Sequence, residues 1–317
     1  MTNAFRLDGL ETDNLLGFLS LLGLLRALET ARPTWFARAY FSGVPLRAWL
    51  IVGEDADKAE IARAAADGCS QYAQLLRFDH SDLTFNQAEA RRLLRGSAEE
   101  PASAFVLSAL FSDAAIREGD RIEPTPLCAM FGQGHQSFLA RLTTVTHGTL
   151  PKNLVKIRKP PNLNDPARIE RALFASWNRA DETESFRWDH GDDRRYALRD
   201  VDPSTEKSTT EHGANRLAVL GLLSFQSAPQ GGPSGRVNLA TRGVSRGGAR
   251  RRPRITWPIW ERPATLRAIE ALLDEPALSA DEPSFDVLRR RGVLQARRVT
   301  RIMTGKFISF TRATALP

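Results

Sequence analysis

Cysteine is almost absent: Cys69 and Cys128 are the only thiols in 317 residues. Two such residues cannot frame a disulfide-stapled fold. They read as buried small side chains in a reducing compartment, which places the chain in the cytoplasm. Long apolar runs are lacking too. The longest, Leu15 to Leu25, is interrupted by Gly17, Ser20 and Gly23 and closes at Arg26, too short to span a bilayer. No basic segment precedes it, so neither a signal peptide nor a membrane partner is expected. Catalytic signatures are missing in turn. There is no P-loop Lys-Ser/Thr, no complete dinucleotide glycine fingerprint, no serine elbow, no His-Asp dipeptide and no convincing Asp…Glu-x-Lys pattern. A non-enzyme without a cofactor is the expectation.

What the chain does have is positive charge with a location. The net charge is +7 with a pI near 9.9. Residues 1–120 hold 12 Lys+Arg against 17 Asp+Glu, so the remaining residues carry 32 against 20. A GC-rich genome also enriches arginine, but it should act on the whole chain, and the first third is acidic. A polyanionic partner fits the asymmetry better. Hydrophobic content of 42% and a mean hydropathy of -0.31 suit a globular protein with a sizeable core.

The patterning predicts an α+β fold, helix-rich, with small antiparallel β elements and long basic loops. Asp13 reads as the cap of a helix over 14–29 whose leucines occupy nearly every face. Trp35–Phe41 and Leu46–Val52 read as a hairpin, followed by helices over 57–77, 86–95 and 101–116. That defines a first region, 1–120. In a second, basic region over 121–317, helices are expected near 137–146, 166–177 and 213–225. A strand follows at 255–259, a helix at 264–273 and a terminal hairpin pairing 293–303 with 306–311. The Gly/Pro/Ser-rich stretch 226–248, continuing with arginines to 254, reads as a mobile loop.

Three basic clusters lie in the second region. Lys152, Lys156, Arg158 and Lys159 form the first. Arg236 to Arg262 form the second, with Glu261 their one acid, and Arg289 to Lys306 the third. Guanidinium forks on glycine-rich backbone can mould to phosphates, and Trp257 and Trp260 are expected to stack on unpaired bases. Met130–Ser137 is a glycine-spaced turn into a helix. It reads as structural, or as a holder of phosphate at the helix N-terminus. Asp189, His190, Asp192 and Asp193 have the side chains of a metal site, but Arg187, Arg194 and Arg195 can neutralise them locally, so no metal is expected. Glu211-His212-Gly213-Ala214-Asn215-Arg216 contains an acid and an imidazole, and the histidine reads as a cap rather than a base.

Taken in order, several of these segments resemble the large or accessory subunit of type I-G (formerly I-U) CRISPR Cascade complexes. The carriers are Leu21-Leu22-Gly23-Leu24-Leu25-Arg26, Phe131-Gly132-Gln133-Gly134 with Gln136-Ser137-Phe138-Leu139, Phe186-Arg187-Trp188 through Arg199, and Gly213-Ala214-Asn215-Arg216-Leu217-Ala218. They span nearly the first 220 residues. The resemblance implies a non-catalytic subunit of an RNA-guided surveillance complex. Its partners would be the CRISPR guide RNA, target double-stranded DNA, backbone and guide-processing subunits, and a helicase–nuclease. Such a subunit holds the guide's handle end, inspects the short flanking motif (PAM) in duplex DNA and supports R-loop formation. On that reading Gln133, His135, Gln136 and Asn153 read base edges, and Lys152, Lys156, Arg158 and Lys159 contact phosphates. Arg194, Arg195, Asn215 and Arg216 fix the internal scaffold or the RNA handle, and Arg250, Arg251, Arg252 and Arg254 grip the displaced strand. The alternatives are a metal-dependent nuclease using Asp189–Asp193, or a structural adaptor that binds only proteins.

Overall fold

The computed structural model describes residues 3–53, 55–129, 137–147, 163–183, 185–192, 209–232, 235–247, 252–304 and 307–316. Strand β1 (Asn3–Leu7) leads into helix α1 (Leu15–Ala31), and β2 (Arg38–Ser42) and β3 (Arg47–Val52) form the expected hairpin. Asn14, not Asp13, caps α1, its side chain accepting from the Leu16 amide. Asp13 instead pairs with Arg312 at 2.6 Å. β1 joins the hairpin on its free edge to give an antiparallel sheet in the order β1-β3-β2. Its inner face carries Leu7, Ala39, Phe41, Ala48, Leu50 and Val52, all buried.

Helices α2 (Lys58–Gln71) and α3 (Gln87–Gly96) both start at reciprocal capping boxes, Asp57 with Glu60 and Asn86 with Glu89. Helix α4 (Pro101–Ser108) is shorter than the expected 101–116. The chain turns at Ala109–Leu110, and Ile116 enters a two-residue strand, β4 (Ile116–Arg117), paired with β5 (Arg121–Ile122). Then come α5 (Phe138–His147), α6 (Pro166–Phe174, capped by Asp165) and α7 (His212–Leu222).

The leucines on all sides of α1 are explained by its surroundings, because every residue from Leu15 to Leu28 is buried. Its main partner is α7, and the two helices meet at glycine. A Cβ on Gly23 would lie 1.8 Å from the Leu217 carbonyl oxygen, and one on Gly221 would lie 1.9 Å from that of Leu19. Ser20 Oγ adds a bond across this contact to the Ala214 carbonyl, 2.9 Å.

The rest is largely β. β6 (Ser227–Gly231) pairs with β7 (Val237–Thr241). β8 (Val244–Gly247) and β9 (Arg252–Trp260) begin a second antiparallel sheet. After α8 (Leu266–Leu273), α9 (Pro276–Ser279) and α10 (Phe285–Arg290), β10 (Val293–Thr304) pairs with β9, β11 (Phe307–Phe310) and β12 (Thr314–Leu316). The stretch 226–254, expected as a loop, instead holds strands over most of its described residues: β6, β7, β8 and the start of β9. Leu239 and Thr241 alternate inward in β7 and are buried, and Gly243, at φ 67°, makes the tight turn into β8. Composition that reads as a loop marks hairpin turns here.

The molecule is an α+β fold. One contiguous buried cluster runs from Leu7 to Phe310, across the boundary expected at residue 120. Among the described residues no helix is long and apolar enough to cross a membrane.

Candidate nucleic-acid interface

The first turns of α7 form the hub of a buried charge network. The His212 amide donates to Asp181 Oδ2 at 3.0 Å, so a carboxylate sits at the positive end of the helix. Asp181 is also paired with Arg168 and, at 2.8 Å, with Arg171, both from α6. Glu211, fully buried, takes Arg171 Nε at 3.3 Å. Burial, then the positive charges of Arg141, Arg216 and Arg168, push the His212 imidazole down to about 3, while the Leu163 backbone opposes this slightly. His212 is thus a neutral ring at the helix start.

Of the two roles expected for Asn215 and Arg216, internal scaffold or RNA handle, their burial fits the scaffold. Both are buried, at 1% and 2% exposure, and cannot touch a polynucleotide. Asn215 Nδ2 donates to Thr210 Oγ1 and to the Glu211 carbonyl, each at 2.9 Å, and Asn215 Oδ1 accepts from the Phe186 amide at 3.5 Å. Arg216 reaches the Asn164 carbonyl at 3.1 Å and Ser70 Oγ at 3.3 Å.

Gln133, His135, Gln136, Lys152, Asn153, Lys156, Arg158, Lys159, Arg194, Arg195, Arg250 and Arg251 lie outside the described residues. The residues that flank the first three of these stretches are described, and they converge. Leu127 accepts from Trp188 Nε1 at 2.8 Å, Phe138 meets Phe186 edge-on at 5.7 Å, and Phe186 stacks on Trp188 at 4.5 Å. Asn164 Nδ2 donates to the His147 carbonyl at 3.1 Å, holding together the two ends that flank 148–162. Thr210, just after 193–208, is bridged to Asp181. The described residues that flank 130–136, 148–162 and 193–208 therefore meet in one base, built by α5, α6 and the start of α7.

Asp189 belongs to this base as well. Burial raises its pKa, but Arg179 (2.7 Å), the Gly191 amide (2.9 Å) and Asn14 Nδ2 (2.9 Å) more than offset this and hold its carboxyl below the usual range. Its oxygens are taken by these donors. The side chains of Asp192 and Asp193 lie outside the described residues. Among the described residues no three His, Cys, Asp or Glu side chains gather as metal ligands would.

The C-terminal arginines find acids that are distant in sequence. Arg242 pairs with Asp274 at 2.6 Å, Arg246 with Glu123, and Arg254 with Asp281 at 2.8 Å. Arg298 donates to Thr256 Oγ1 (2.9 Å) and the Asp281 carbonyl (2.8 Å), and Arg301 to the Cys128 carbonyl (3.0 Å). Of the four proposed strand-gripping residues, Arg252 is half-buried at the start of β9 and Arg254 is engaged by Asp281. Trp257 and Trp260 do not offer rings for stacking. Both are buried, Trp257 against Phe18 at 5.3 Å and Trp260 edge-on to Phe41 at 4.8 Å. Cys69 and Cys128 are buried and in no disulfide, as their scarcity suggested, and burial pushes the Cys69 thiol up to about 11.

One group of polar and aromatic residues was missed in the sequence. Arg38, Tyr40, Arg47 and Trp49 share the outer face of the N-terminal sheet with Arg6. The signal was the strict alternation in Arg38-Ala39-Tyr40-Phe41 and Arg47-Ala48-Trp49-Leu50, which separates this set from the core residues between them. No protein-family model matches the chain, and a comparison with curated proteins finds no match either.

Proposed function

We propose that the chain is a non-catalytic subunit of an RNA-guided CRISPR Cascade complex. It binds the guide RNA near its handle and recognises the flanking motif of target double-stranded DNA. It thereby supports R-loop formation and recruitment of a helicase–nuclease. The observation that supports this reading is that the described residues flanking 130–136, 148–162 and 193–208 meet in one base; Gln133, His135, Gln136, Lys152, Asn153, Lys156, Arg158, Lys159, Arg194 and Arg195 belong to those three stretches of the sequence. Amide side chains that meet base edges, beside lysines that meet the neighbouring phosphates, are the combination such recognition needs. The residues of the Cascade resemblance fit the same picture. Phe186, Trp188, Asn215 and Arg216 build the base, and the polar residues between these segments do the contacting.

The test is a salt series. Replacing Lys152, Lys156, Arg158 and Lys159 by alanine should weaken duplex binding. It should also flatten the dependence of log affinity on log salt by about 0.7–0.9 for each phosphate no longer neutralised. An unchanged slope overturns the assignment. Co-expression with a repeat array and its backbone subunits should yield a complex holding one short uniform RNA, and recovery free of RNA contradicts the proposal.

A further inference from the structure

The outer face of the β1-β3-β2 sheet is arranged around two rings. Trp49 lies directly opposite Tyr40 on one neighbouring strand and Arg6 on the other. The Tyr40 and Trp49 rings are nearly parallel, 22° apart with centroids at 6.1 Å. Ile51 sits opposite Arg38 and Arg47 opposite Ser42, which puts a cation beyond each end of the ring pair. The core-facing residues of the same strands are buried, whereas this set is half-buried or exposed. The face is thus a second surface of the sheet, of which Tyr40 also packs against the core.

The charge on this face is only partly answered. Arg6 pairs with Asp8 at 2.7 Å, both about half exposed. Arg38 and Arg47 have no carboxylate partner among the described residues; Arg47 donates only to the Leu46 carbonyl at 3.1 Å. Two N–H donors of these residues, Arg38 Nε and Trp49 Nε1, are themselves buried and have no hydrogen-bond partner, a condition that folded proteins seldom leave in place. Aromatic area bracketed by guanidinium groups without a carboxylate partner fits a ligand that alternates π-faces with anions. A single nucleic-acid strand has that repeat. A duplex does not, because its base faces are stacked inside.

We propose that this face is a stacking platform for an unpaired nucleic-acid strand, with bases on Tyr40 and Trp49 and phosphates on Arg38 and Arg47. The proposal rests on the nucleic-acid reading above and adds a strand-specific site to it, on elements separate from the α5–α6–α7 base.

The test measures fluorescence anisotropy of a labelled oligothymidylate of about 12 nucleotides and of a duplex carrying the flanking motif, with the intact chain. Trp49→Leu with Tyr40→Leu keeps apolar bulk but removes the rings. It should weaken strand binding at least about 5-fold and leave duplex affinity unchanged. Trp49→Phe with Tyr40→Phe should restore strand binding, and Arg38→Ala with Arg47→Ala should lower its salt slope. Binding of both ligands that is indifferent to the leucine pair overturns the platform and leaves the function proposed above standing. No binding of either ligand by the wild-type chain overturns both. If the leucine pair leaves strand binding intact and instead disrupts assembly with a partner subunit, the face is a protein contact and the platform is overturned.

Discussion

The arginines of the C-terminal sheet and those of the N-terminal sheet make opposite use of the same side chain. Five of the first, Arg242, Arg246, Arg254, Arg298 and Arg301, end on a carboxylate or a backbone carbonyl distant in sequence, although Arg297 Nε on β10 is buried without a partner. The second are few and lie in the acidic third of the chain, yet Arg38 and Arg47 have no carboxylate partner among the described residues. Charge density along a sequence is therefore a poor guide to charge available at a surface. What decides availability is whether the fold brings an acid to each cation, and planar guanidinium groups are well suited to accept that role.

The sharpest way to break the comparison is to release committed arginines. Asp181→Ala leaves Arg168 and Arg171 without their shared carboxylate and uncaps the His212 amide. A loss of about 3 kcal/mol is expected in urea unfolding, the lower end for breaking a buried pair because the arginines keep some solvent access. Asp181→Asn keeps an acceptor for the amide and should cost less.

The next effect is a pH dependence. The folded-state pKa of His212, about 3, lies below its ordinary value of 6.5. The unfolded chain therefore binds the extra proton between those values. This part of the stability is complete above about pH 6.5 and is lost as pH falls, by up to about 1.4 kcal/mol per unit. Asp189, also held below its ordinary value, adds its loss only at lower pH, beneath the ordinary carboxylate range. Denaturation midpoints of wild type and His212→Leu across this window should diverge in slope, and parallel curves count against a neutral buried ring.

Smaller effects separate the two arginine sets. Arg254→Ala removes a pair whose carboxylate is largely exposed, so about 1 kcal/mol or less is expected, with no change in nucleic-acid affinity. Arg38→Ala with Arg47→Ala should change stability by no more than about 0.5 kcal/mol while lowering single-strand affinity. The reverse outcome, in which Arg254 governs binding and Arg38 and Arg47 govern stability, would invert the comparison.

Local signals were legible in the sequence and distant ones were not. The helices at 58–71 and 87–96 could be read from their alanine, leucine and arginine content, a signal contained within each segment. The terminal hairpin was equally visible, being contiguous. β1 escaped notice because five residues carry little alternation and its partner β3 is more than forty residues away. The pairing of Arg246 with Glu123 spans 123 positions and that of Arg254 with Asp281 spans 27, so both arginines looked unopposed. For Asn215 and Arg216 the sequence left scaffold and RNA handle both open, since polar residues in a small-residue helix start suit either a contact or a hub.

Ultraviolet crosslinking of the intact chain to a 4-thiouridine RNA of about 12 nucleotides, read by peptide mass spectrometry, tests the central claim most directly. The account predicts crosslinks in peptides covering 38–51 and 130–162 and none in α7 or β9. Crosslinks confined to 252–301, or none at all, would contradict it.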